Sequence, residues 1–145
     1  MFMTEVTVAE TRVDASPELV VNLALGYLVS RCLHVATELG SADILNGHTM
    51  APTELAARLG ANPDAIRRLL RTLAAHEIFI EDDQGRFGMT PAATLLQRGA
   101  MRDGILLCDE VSGDGAWWNA VGALRHSVMS GEPAFDRQHG MGFFD

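Results

Sequence analysis

Positive charge is scarce in this 145-residue chain: eleven basic residues stand against nineteen acids, for a formal net charge of −8 and a pI near 5.0. Lysine is absent and every positive charge is an arginine. Non-specific binding to nucleic acid or to anionic membrane needs excess positive charge to displace counterions or meet head groups, so the balance argues against both. Cysteine is nearly missing as well. Cys32 and Cys108 stand far apart with no CxxC or Cys/His cluster, which signals neither a disulfide framework nor a metal site and fits a reduced, cytoplasmic setting. Residues 1–15 lack a basic start followed by an apolar run, so no secretory signal is expected.

What is present is an ordinary globular composition, 48% apolar and 21% charged, at a length that suits one domain. Residues 1–15 read as a loose arm. Ser16-Pro17-Glu18 then supplies an N-cap, a first-turn proline and an acid facing the helix dipole, opening a helix expected to run to about Leu39 and stop at Gly40. Its apolar residues run from Leu19 to Leu39 and cover far more than one stripe, so it needs burial on more than one side. Asn22, Arg31 and His34 interrupt the run before it reaches the length of a membrane span. The reading that follows is a subunit interface made by a second copy, with complete burial inside its own domain as the alternative.

From Ser41 to Pro91 the elements shorten. A helix is expected over Thr53–Leu59, ended by Gly60, and another from Asn62-Pro63-Asp64 with Ile66, Leu69, Leu70 and Leu73 on one face. Ile78–Glu81 and Arg86–Met89 flank Asp82-Asp83-Gln84-Gly85 as a hairpin, and Thr90-Pro91 opens a short helix through Leu96. Helix, turn, helix, hairpin is the order of a winged helix-turn-helix. Further helices are expected over Met101–Val111 and Ala116–Met129, the second with Trp117, Val121, Leu124 and Val128 directed to the core. The tail from Glu132 to Asp145 reads as loop with aromatic anchors. The expected fold is therefore mainly α, with a small β-hairpin in a winged-helix-like domain and long flanking helices.

A winged helix raises DNA binding, and Arg67, Arg68 and Arg71 would sit on the recognition helix. Between His48 and Thr90, however, five arginines face six acids, and Asp82-Asp83 place negative charge at the wing tip. A solvated helix face, with Asp64 pairing Arg67 or Arg68, accounts for the arginines. Catalytic signals are equally thin. None of the five histidines has a partner at metal-ligand spacing, no serine or cysteine lies in a nucleophile motif, and Ser112-Gly113-Asp114-Gly115 has neither a preceding strand nor GxGxxG spacing.

Several phrases nevertheless share an order and spacing with a known family. They are Ala36-Thr37-Glu38-Leu39-Gly40-Ser41-Ala42-Asp43-Ile44-Leu45, Thr53-Glu54-Leu55-Ala56-Ala57-Arg58-Leu59-Gly60, Asn62-Pro63-Asp64 through Thr72-Leu73, and Arg86-Phe87-Gly88-Met89-Thr90-Pro91, followed downstream by Leu124 through Phe135 and His139-Gly140-Met141. From Leu25 to Asp145 the chain resembles the N-terminal half of small-molecule O-methyltransferases of plant phenolic and bacterial natural-product type. The resemblance implies an intertwined homodimer formed through residues 17–40 and the later helices. It divides the chain into an arm at 1–15, a dimerisation and winged-helix-like domain at 16–98, and an acceptor-pocket segment at 99–145 that leads to a separate Rossmann domain. S-adenosylmethionine and the catalytic base would belong to that second domain, leaving this segment inert alone, with no metal. It implies a small aromatic acceptor touched by Val111, Ser112, Trp117 and Met141, with Trp118, Phe135 and Phe144 as neighbours; the same residues would serve equally as core packing. A stand-alone winged-helix regulator or ligand-binding module is the rival reading.

Overall fold

The computed structural model describes residues 16–99, 101–110 and 116–142. The chain opens with helix α1 (Pro17–Glu38), started by Ser16, whose hydroxyl accepts from the Leu19 amide, and with proline in the first turn. Gly40 takes the left-handed conformation that ends α1 and starts the short helix α2 (Ser41–Leu45), which the sequence pattern does not announce. Helix α3 (Pro52–Leu59) and helix α4 (Pro63–Ala74) follow as the helix-turn-helix. Their turn is built from Gly60 at φ 65° and from Asn62, whose side-chain oxygen accepts from the Asp64 and Ala65 amides at 3.0 Å.

The wing is an antiparallel pair, β1 (Phe79–Glu81) and β2 (Phe87–Met89), in which Ile80 faces Gly88. Met50 adds one bridge to Phe87, exchanging both backbone hydrogen bonds, so the hairpin is locked onto the loop before α3. A 3-10 turn (Ala92–Leu96) closes this unit. Its core is one cluster: Leu45 from α2, Leu55 from α3, Ile66, Leu70 and Leu73 from α4, Phe79 and Phe87 from the strands, and Leu96, all buried. Each such side chain stabilises the fold by about 2 kcal/mol relative to exposure. The stripe expected on α4 is the one that reaches the core.

Four helices follow: α5 (Arg102–Glu110), α6 (Ala116–Gly122), α7 (Leu124–Ser130) and α8 (Ala134–His139). Three expectations are corrected here. The single helix expected over Ala116–Met129 breaks at Ala123, where φ −93° and ψ 12° follow the poor helix former Gly122 and the His126 amide turns back to the Ala123 carbonyl at 2.8 Å. Its apolar face is also not buried in the core: among the described residues Trp117, Val121, Leu124 and Val128 are all exposed. The tail expected as loop contains α8, since Pro133 sits at its N-cap and Gly140, at φ 70°, stops it.

Helix α1 divides in two along its length. From Cys32 onward it lies against the core, with His34, Ala36 and Thr37 buried. Before that it stands out bare on both sides, with Val20 67% and Leu23 73% exposed on one face and Val21 52% and Leu25 49% on the other. By length and composition alone it is apolar enough to cross a membrane. Arg102 braces α5 to the α1–α2 junction, donating to Asp43 Oδ2 at 3.4 Å and to the Glu38 carbonyl at 3.3 Å.

Candidate functional site

A cavity of about 480 Å³ opens between α1, α5 and α6. On the α1 side it is lined by Gly26, Tyr27, Ser30, Leu33 and His34, which fall at i, i+1, i+4, i+7 and i+8 and so share one face of the helix. Trp117, Trp118 and Val121 of α6 form the opposite wall, with Ile105 of α5 between them. The walls are mostly apolar and the polar groups few, the composition of a site for a planar organic ligand.

His34 is the buried member, and its ring meets Trp118 edge-on, with centroids 6.2 Å apart and planes at 88°. The Arg31 guanidinium stacks over the same indole, 5.5 Å from its centroid. Together they fix the Trp118 ring. Among the described residues its Nε1, closed to solvent, meets no hydrogen-bond partner, and the ring is held by these packing contacts.

Of the residues expected at an acceptor pocket, the structure brings Trp117 and Trp118 into this one cavity. Phe135 and Met141 lie apart from its lining: Phe135 is half-buried on α8 with its ring 4.4 Å from that of His139, and Met141 is exposed after the helix. Val111, Ser112 and Phe144 lie outside the described residues. The α1 wall was missed by sequence reasoning. Its signal was a lone glycine inside an apolar helix, followed by Ser30 and His34 on the same stripe.

Elsewhere several polar side chains brace the fold. A wider cleft of about 720 Å³ outside the hairpin is spanned by Arg86, which donates to the Thr49 carbonyl at 2.6 Å and braces the wing. On α4, Arg67 pairs with Asp64 at 3.1 Å, while Arg71 binds Glu81 through both carboxylate oxygens. That double hydrogen bond, with the attraction of opposite charges, holds the Glu81 carboxyl below its ordinary range and raises Arg71. Two of the three arginines of the recognition-helix position are thereby turned to neighbouring acids. His126 accepts from Arg137 at 2.7 Å, tying α7 to α8. No group of three or more metal-ligating side chains occurs among the described residues.

A family model of the O-methyltransferase dimerisation domain matches residues 21–99. The chain belongs to this family. Among curated proteins, the chain is 34% identical over 129 residues to phenazine O-methyltransferase PhzM of Lysobacter antibioticus, covering 87% of this chain and 36% of that protein. It is 38% identical over 127 residues to the O-demethylpuromycin-O-methyltransferase of Streptomyces alboniger, covering 88% and 33%. In fold it is similar to the crystal structure of LaPhzM, at a TM-score of 0.77 and 34% identity, over 88% of this chain and 38% of that one. The chain thus spans about a third of the length of the curated relatives it matches.

Proposed function

We propose that this chain is the dimerising, acceptor-shaping half of an S-adenosylmethionine-dependent O-methyltransferase that acts on a small aromatic natural product in the cytoplasm. The observation that carries the reading is the bare N-terminal half of α1, where Leu23 and Val20 stand 73% and 67% exposed in a helix of a dimerisation-domain family. A second copy laid along this helix buries both faces at once, which one domain of this size does not manage. A bilayer is the less suitable cover, because Arg31 and the cavity-facing His34 sit within the same helix.

Among the described residues the strands form a two-stranded antiparallel sheet, and no parallel βαβ unit is present to cradle a nucleotide at its strand ends. S-adenosylmethionine does not fit here. We place its site, and the base that deprotonates the acceptor hydroxyl, in the part of the relatives that this chain does not span. This half supplies the wall on which an aromatic ring rests, Trp117 and Trp118 facing α1. The paired arginines and the acidic wing tip support a structural, not a DNA-reading, role for the winged helix.

The oligomeric state tests the reading. Sedimentation velocity on the chain at micromolar concentration is expected to give twice the 15.7 kDa protomer mass. A monomer persisting at high micromolar concentration contradicts it.

A further inference from the structure

Gly26 stands in the middle of α1, a position where alanine or leucine makes a better helix. Its backbone is ordinary for a helix, since it is not among the residues with positive φ. A Cβ built on it meets no heavy atom within 4 Å. Among the described residues, neither turn geometry nor a close neighbour therefore requires a glycine. What the position does have is a place in the wall of the α1–α5–α6 cavity, in the same lining as Trp117 and Trp118.

We infer that Gly26 is the specificity-determining residue that sets the depth of the acceptor pocket, its missing side chain leaving room for a fused-ring aromatic acceptor. This rests on the proposed role of the cavity as an acceptor wall. The volume of about 480 Å³ exceeds the needs of a single ring, and the indoles of α6 supply flat surfaces for a larger one. A side chain at position 26 grows into that space and removes the part that only the second ring uses. A second copy of the chain is a competing reason for the glycine, but it is met better at Leu23 and Leu19, which protrude one and two turns earlier on the same face.

The chain contains two tryptophans, both in the cavity wall, so their indole N–H resonances in a nitrogen-15 correlation spectrum report on this site alone. Wild type, Gly26→Ala and Gly26→Leu are titrated with 1-naphthol and with phenol, and sedimentation is followed in parallel. Wild type is expected to give saturable shifts of the indole resonances, with naphthol bound more tightly. The naphthol-to-phenol affinity ratio should fall several-fold in Gly26→Ala and about tenfold or more in Gly26→Leu, with the oligomeric mass unchanged. Equal ratios in all three proteins overturn the inference while leaving the pocket in place. The same holds if Gly26→Leu dissociates the assembly with its naphthol affinity intact, which assigns the glycine to the second copy. Absence of any saturable indole shift in wild type removes the acceptor-wall reading itself. Should the leucine variant not fold, the alanine variant carries the same comparison.

Discussion

Gly88 shows how one residue can be decided by a single neighbour. It lies buried in β2 opposite Ile80, and a Cβ there comes within 3.0 Å of Thr49 Cγ2. Alanine is ordinarily the better strand residue of the two, so the sign of Gly88→Ala depends on whether Thr49 yields. Thr49 is held because its carbonyl accepts from Arg86 and Met50 beside it is bridged to Phe87. The expected loss is about 1 kcal/mol, measured by urea denaturation, and Thr49→Ser, which removes the opposing methyl, should abolish it in the double variant. An equal loss in both backgrounds contradicts this steric account. At this scale the sequence was readable where chemistry is local. Ser16, Asn62 and Gly60 each announced the cap they form, because capping depends on a few adjacent atoms. The Gly26 wall of the cavity left only a glycine inside an apolar helix as its mark, because the cavity arises when α6 is brought opposite α1, and no spacing within one helix reports what will face it.

Between elements, the wing is tied to the helix-turn-helix by one ion pair, Arg71 of α4 with Glu81 of β1. Glu81 titrates below its ordinary value of 4.5 in the folded protein, first because Arg71 hydrogen-bonds its charged form. A carboxyl depressed on folding contributes stability that is complete above its unfolded pKa and is lost as pH falls through the folded value. Wild type should therefore lose Tm as pH drops below about 4.5 more steeply than Glu81→Gln does, whereas the two profiles should run parallel from pH 6 to 8. Parallel profiles throughout the acid range contradict the assignment. The pair also explains how much of the wing was legible. The hairpin followed from alternation and from the acidic tip at Asp82-Asp83. That Arg71 would turn to the adjacent strand and not outward depends on the angle at which β1 leaves α4, set by Glu77 at φ 61°. The break at Ala123 and the short helix α8 were marked only by punctuation, Gly122 in one case and Pro133 and Gly140 in the other: Leu124 and Val128 keep the helical spacing of α6 across the break, and α8 has only Ala134 and Phe135 as an apolar signal.

Taken whole, the molecule has one closed core and one open one. The cluster around Leu70, Phe79 and Phe87 completes itself, whereas α1 before Cys32 and the outer face of α7 leave Leu23, Val20, Leu124 and Val128 to water. The excess of apolar residues on α1 was visible in the sequence because a helix apolar on all sides cannot be a surface element. The apolar stripe of α6 and α7 reads as core in the sequence because an exposed apolar stripe and a buried one have the same period. If the open core is closed by a second copy, association and folding are linked, and the native state gains stability by mass action. Tm should then rise with protein concentration, by a few degrees over a hundredfold range, as scanning calorimetry or circular dichroism would read it. Leu23→Arg places a charge where the bare face is most exposed on α1 and touches nothing in the closed core, so it should remove the concentration dependence and leave a folded monomer with the hairpin intact. A Tm independent of concentration in wild type, or a Leu23→Arg protein that assembles as wild type does, contradicts closure through this helix.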